Sequence, residues 1–295
     1  MAQSVRFGGK RLSKIVGRVG IASFNRDDFF YVTSKVSQQP DRLVLVGGQA
    51  LETWGTVLKI PSPDGQTDFL TKDADWLGSR ADAEWLAQLL GLERTEILTP
   101  NFGDSTPNTA IIYLEREDSQ VLLMDFLRCV TGLQNQDIEA LAVPIDIPSP
   151  GGGVFTLRVL HPLHCLISRM ANLAEHPSKR QGNGPLQARW AVDIVHAYLN
   201  RLKAEATPTQ VRKACYFVAD MARYKYAEYC YVNYQLDPLA AITEDILDAG
   251  GQEFKSNDWP RVVGRVEQQR QKWRQRQLRS LERIKKHLIS QRKHS

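Results

Sequence analysis

The sequence has no run of apolar residues approaching the ~18 that a membrane-spanning helix needs. No membrane segment is therefore expected. Its N-terminal stretch, MAQSVRFGGKRLSKIVGRVG, is basic but lacks the apolar core of a secretory signal. A cytoplasmic location is the expectation. Cysteine is sparse. Cys129, Cys165, Cys215 and Cys230 lie far apart, with no Cys-x-x-Cys pair and no histidine spacing that would complete a zinc site. They read as buried thiols in a reducing compartment. His161 and His164 flank Pro162 at a helix start, where a histidine is ordinarily structural, and no chemistry is assigned to them. There is no internal repeat.

A net positive balance is lacking outside one segment. The chain carries a formal net charge of +5, yet residues 261–295 hold twelve Lys or Arg against Glu267 and Glu282. The remainder is therefore net acidic, and the basicity belongs to that segment. The periodicity of Leu278, Leu281, Ile284 and Leu288 predicts a terminal helix there, its narrow apolar stripe packed on the helical region and its charges outside. A local excess of cations attracts polyanions, so this segment is expected to contact an RNA.

What is present is ordinary globular composition, 42% hydrophobic and 24% charged, in 295 residues, enough for two domains with cores of their own. The informative part lies near the start. LVLVGGQALETWG (43–55) reads as an apolar strand running through Gly47-Gly48 into a helix. Bare glycine backbone at a helix N-terminus lets phosphate oxygens approach N–H donors and the positive end of the helix dipole. DFLTKDADWLG (68–78) places Asp73 and Asp75 two apart in an apolar stretch. Strand side chains alternate, so both project from one face, with Ala74 and Trp76 on the other. Two carboxylates held that close are costly unless a cation sits between them. A third acid, Asp125, is buried in the apolar run of QVLLMDFLR (120–128) and shares a face with Leu123 and Leu127. A phosphate cradle beside paired carboxylates suits a nucleoside triphosphate carried on Mg2+ or Mn2+.

With Gly47-Gly48, Asp73-x-Asp75 and Asp125 in this order, the chain resembles the nucleotidyltransferase-fold superfamily, and within it the AbiEii-type abortive-infection nucleotidyltransferases. The likeness spans roughly residues 40–200, with a longer gap than usual between Gly48 and Asp73. HPLHCLISRMANLAEH and LQARWAVDIVHAYL are similar to two helices of that family, the first carrying Arg169 where the family usually has Lys, the second carrying Asp193. The resemblance implies that Asp73, Asp75 and Asp125 bind metal and catalyse, and that Gly47, Gly48, Arg169 and Asp193 bind the nucleotide. It also implies an NTP substrate and an acceptor hydroxyl, RNA or tRNA being favoured over a protein or small molecule. A toxin-like role with a partner antitoxin chain would follow. From the residues alone, Asp193 could equally be half of an exposed ion pair with Arg189, and Arg169 could be a snorkelling arginine. A non-catalytic nucleotide- or RNA-binding protein of the same fold is the alternative reading.

The expected architecture is α/β (α+β): a mixed sheet with flanking helices followed by helices. Strands are predicted at 42–46, 68–77 and near 109–115, 120–128 and 153–159, and helices at 48–58 and 80–90. A helix follows His161 and another runs from about Leu186 to Leu202. Thr207-Pro208 and Asp237-Pro238 read as helix starts. The aromatic run CYFVADMARYKYAEYCYVNY reads as one helix buried between domains with its hydroxyls reaching the rim, a base-stacking surface being the alternative. The domain expectation is 1–160 for the α/β part, 161–260 for a helical domain and 261–295 for the basic helix.

Overall fold

The computed structural model describes residues 21–63, 73–101, 103–104, 106–116, 120–149 and 151–292. They form two compact units, divided between Ile194 and Val195. The first contains helix α1 (Arg26–Val36), strand β1 (Val44–Val46), α2 (Gly47–Leu58), β2 (Asp73–Leu77) and α3 (Arg80–Leu90). It continues through β3 (Thr95–Leu98), β4 (Asn108–Glu115), β5 (Val121–Leu127), α4 (Asn135–Leu141), β6 (Val143–Pro148), β7 (Val154–Val159) and α5 (Pro162–Glu175). Helix α6 (Gly184–Glu205) runs through the division.

The seven described strands make one mixed sheet in the order β3-β4-β5-β2-β1-β7-β6. The β1/β7 and β2/β5 pairs are parallel and the other four antiparallel. The expected mixed sheet with flanking helices followed by helices is what the chain forms. Local chemistry sets the helix starts. Asn25 and Asp28 form a reciprocal capping box at α1, and Ser79 and Asp82 another at α3. Ala74, Trp76, Met124 and Phe126 are buried on the face of β2 and β5 away from the acids. The residues of 68–77 before Asp73 lie outside the described residues, apart from which the strand is as expected.

The helices after His161 begin within the first unit, not in a separate domain from 161 onward. Helix α5 packs on α2. The Trp190 ring of α6 lies so close to Gly55 that a Cβ there would come within 2.4 Å of it. Trp54 Nε1 donates to the Leu160 carbonyl at 2.7 Å. These contacts bind the start of the helical run to the sheet.

The second unit holds the rest of α6, α7 (Pro208–Met221), α8 (Lys225–Tyr234), α9 (Glu244–Ala249) and the long α10 (Trp259–Arg292). The aromatic run is two helices, not one, interrupted at Ala222–Tyr224. Its buried face is Ala214, Cys215, Val218, Ala219, Met221, Ala227 and Cys230, while Phe217 and Tyr224 are exposed. Small and aliphatic residues fill the packed face, and Tyr216 and Tyr231 lie half-buried at its edge against Phe254 and Trp273, so the run is not the single buried aromatic helix expected. Three cysteines are buried as expected, but Cys129, just past β5, is exposed.

Helix α10 is seated by Trp259, Val266, Arg270 and Trp273, all buried. Arg270 reaches Asp237 and Glu267 and stacks 4.6 Å over the Tyr231 ring. The apolar stripe expected to pack lies beyond this seat: Leu278, Leu281 and Ile284 are 60%, 55% and 54% exposed. Arg261, Arg265, Lys272, Arg279 and Arg283 recur at helical spacing and are all exposed, a basic ridge on the side away from the buried residues, while Arg276 pairs with Glu228 of α8 at 2.7 Å. Trp273→Ala should cost about 3–5 kcal/mol in chemical denaturation. Leu281→Ala should stay within about 0.5 kcal/mol of the parent protein.

Candidate metal centre

Strand β1 is buried along its length and ends against β2, Val46 pairing with Asp75. The chain turns into α2 at Gly47, whose φ of +70° lies in the left-handed region. A Cβ at this position would lie 1.8 Å from Asp75 Oδ2. Gly47 is thus required twice, by backbone conformation and by the carboxylate lying against it. Gly48 follows, buried, in the first turn. Unlike α1 and α3, this helix has no side-chain cap at its N-terminus and no acid in its first turn. Val46 offers no side-chain acceptor to the leading N–H groups, the kind of helix start that receives an anion.

Asp73 and Asp75 project from one face of β2, and Asp125 stands directly opposite Asp75 in the parallel register with β5. One oxygen of each lies within 4.8 Å of those of the other two, and all three side chains are half-buried. Hard oxygen donors in this grouping fit a divalent cation such as Mg2+ or Mn2+. Asp125 Oδ1 is buried without a hydrogen-bond partner, which a bound cation or proton would satisfy.

The electrostatics have the same origin. Burial first, then Asp73, push the Asp75 carboxyl up to about 7, against the pull of Arg169 and Lys179. Burial, then Asp75 and Asp73, push Asp125 up to about 8, against Lys179 and the Asn108 side chain. The Tyr113 hydroxyl, raised to about 12 by burial and by Asp125, shares the site's side of the sheet with Ile111 and Leu123.

Arg169 on α5 is partly enclosed and donates from Nη1 to Gln187 Oε1 of α6 at 2.9 Å. Burial lowers its pKa while Asp75 holds it up, so its charge belongs to the acidic cluster. It is not a solvent-reaching surface arginine. Asp193 is exposed on α6 and is not a member of the three-carboxylate group. His161 caps α5, its Nδ1 accepting from Leu163 N at 3.2 Å. Burial and then His164 hold its imidazole down at about 4.

Two residues near the site were not singled out from the sequence. Gln49, next to the glycine pair, is buried with neither side-chain polar atom hydrogen bonded. Its position in the first turn of α2 was the available signal. Lys179 lies in the 3-10 turn Pro177–Arg180, a stretch whose composition reads only as a loop.

No protein family and no curated protein sequence matches this chain. Among solved structures it is similar to an antigenic nucleotidyltransferase-like protein from Paracoccidioides brasiliensis. The match has 15% identity and a TM-score of 0.36, and covers 65% of this chain and 94% of that one.

The raised carboxyls fix a pH dependence. A carboxyl whose folded-state pKa is raised keeps its proton in the native state where the unfolded chain has lost it. Its contribution to stability is full below about pH 4 and is lost as pH rises through about 7 and about 8. The metal-free protein should therefore lose stability across that window, and Mg2+ or Mn2+ should restore it most at the alkaline end. Asp125→Asn should flatten the metal-free profile and raise stability at pH 8, as read by thermal melts. Gly47→Ala should lose cation binding at every pH.

Proposed function

We propose that this protein is a metal-dependent nucleotidyltransferase that moves a nucleotide from an NTP to an acceptor hydroxyl, RNA being the favoured acceptor. One observation carries the reading: three aspartates with oxygens within 4.8 Å of one another, directly beside a glycine-opened, uncapped helix N-terminus. Asp73, Asp75 and Asp125 would hold Mg2+. When bound, the cation supplies charge neutralisation of the phosphates and acidifies the acceptor hydroxyl. Gly47 and Gly48 leave the α2 N–H groups open to phosphate oxygens. The acceptor oxygen bonds to the α-phosphorus, the bond to the bridging oxygen breaks, and pyrophosphate departs. Asp125 would complete the oxygen shell of the cation, and the hydroxyl proton passes to solvent as the new bond forms. Arg169 offsets the negative charge of the carboxylate group from α5. Asp193 is assigned, on the family resemblance, to the nucleotide.

The acceptor assignment is supported by the basic ridge of α10, whose exposed cations suit a phosphate backbone and supply affinity without sequence choice. A toxin-like role, with an antitoxin as a separate chain, follows from the AbiEii-type resemblance alone.

The protein is incubated with each labelled NTP, Mg2+ and total cellular RNA. Label should enter RNA, and both Asp73→Asn and Asp75→Ala should reduce it to background without loss of fold. Binding of NTP by the parent protein with no transfer to any acceptor would overturn the enzymatic reading in favour of a binding protein. For the ridge, Arg279→Gln with Arg283→Gln should lower the slope of log affinity for RNA against log salt by about 1 for each phosphate no longer neutralised. Nucleotide binding should be unchanged. This double variant keeps Trp273 in place, which a truncation after Pro260 would remove.

A further inference from the structure

Three of the ten large apolar side chains exposed among the described residues fall within seven positions of α10: Leu278, Leu281 and Ile284. Their spacing keeps them on one side of the helix. Arg274 and Lys285 stand on that side too, four residues before Leu278 and four after Leu281. The direction of this face is fixed by what lies below it. Trp259, Val266 and Trp273 bury the first half of α10. Arg274 Nη2 donates to the Tyr231 hydroxyl oxygen at 2.6 Å, and its guanidinium lies 5.7 Å from the centre of that ring. Arg276 is held by Glu228. The stripe is thus presented ready-formed at the end of a seated helix, with no seat of its own among the described residues.

Its surroundings decide what can cover it. Between Arg274 and Lys286 the chain carries six Lys or Arg against one acid, Glu282. No ion pair holds Arg279, Arg283 or Lys285 among the described residues. A second copy of this helix would bring two such clusters side by side, and like charges along a helical seam oppose pairing. RNA would meet the cations, but aliphatic side chains offer it neither a phosphate contact nor a stacking face. A bilayer calls for a broad apolar face, commonly with Trp or Phe, where α10 has three aliphatic residues among cations. A narrow aliphatic stripe is the seam that another helix recognises, and a positive setting calls for a negative partner. We propose that Leu278, Leu281 and Ile284 form a docking seam for an acidic amphipathic helix of another protein. The partner's apolar side chains enter the seam, and its Glu or Asp side chains face Lys285 and the cations around it. Arg279 and Arg283 of the basic ridge lie on another side of α10 and stay open to RNA.

The experiment uses the full-length protein and a fluorescently labelled three-heptad synthetic peptide with Leu at its seam positions and Glu beside them. One control peptide carries Lys in place of Glu, the other Ser in place of Leu. Fluorescence anisotropy should show binding of the Glu peptide that weakens as salt rises. Both controls should bind weaker by about tenfold or more. Leu281→Ser with Ile284→Ser should weaken the Glu peptide by about tenfold or more, and Lys285→Glu should weaken it as well. Each variant should melt like the parent, and the double variant should keep the parental affinity for RNA. Equal binding of the Glu and Lys peptides, or no binding of either, would overturn the proposal. So would undiminished binding of the Glu peptide by the double variant, which would move the contact elsewhere. A parent dimer in sedimentation that the double variant abolishes would put a second copy on the seam. Loss of RNA affinity in that variant would make the seam part of the RNA surface, and loss of attachment to anionic phospholipid vesicles would give it to a lipid. Any of these three results overturns the acidic-helix assignment. None of them bears on Asp73, Asp75 and Asp125, so the nucleotidyl-transfer reading stands or falls separately.

Discussion

Three carboxylates must be held together against their own repulsion, and much of the first unit follows from that requirement. Neither a flexible loop nor an isolated helix would keep them there, because each side chain would swing away into water. The rigid frame is backbone: the parallel ladder of β2 and β5 fixes Asp75 opposite Asp125, and the alternation of β2 puts Asp73 beside them. The close approach of Gly47 then brings a helix N-terminus against the same group. Arg169 and Lys179 supply opposing charge to Asp75, and Lys179 to Asp125 as well. A site built in this way is strained electrostatically until a cation arrives, and such preorganised strain is typical of binding constellations.

The second unit is organised by a different rule. Small side chains of α7 and α8 make its packed faces, and α10 lies on them through two tryptophans, a valine and one enclosed arginine. Arg270 is tolerated there because Asp237, Glu267 and the Tyr231 ring all meet its guanidinium. Past Trp273 the helix carries on with nothing among the described residues covering its apolar stripe. Continuous helical periodicity in a sequence therefore says nothing about where the support for that helix ends.

The elements that build the centre were legible because each has a strong local signature. An apolar run into Gly-Gly, an acid pair at spacing two, and one acid in a strongly apolar strand all formed as read. So did α3, whose Ser79 and Asp82 make a capping box. Elements without such signatures escaped. Strand β6 reads VPIDIP, and its prolines and the glycines beyond signal a turn, yet it pairs with β7 from Val143 to Pro148 as an edge strand, where proline is tolerated. Strand β3 is four residues long. Lys179 could not be found from composition, since its nearness to Asp75 and Asp125 is created by the fold of a polar loop. The exposed position of Asp193 likewise depends on how α6 is turned, which spacing alone leaves open.

The acids also act on the choice of fold itself. Side chains in a strand change faces at every step, so a slip of one residue between β2 and β5 would turn Asp73 and Asp75 toward the side now filled by Trp76, Met124 and Phe126. Burying carboxylates in that apolar layer costs several kcal/mol for each ion, far more than exposing an apolar residue in exchange. Misaligned pairings are thereby penalised more heavily than the pattern of leucines and valines could manage alone. The same residues that make the native state uncomfortable without metal make its competitors worse, and so serve as an alignment key for the centre of the sheet.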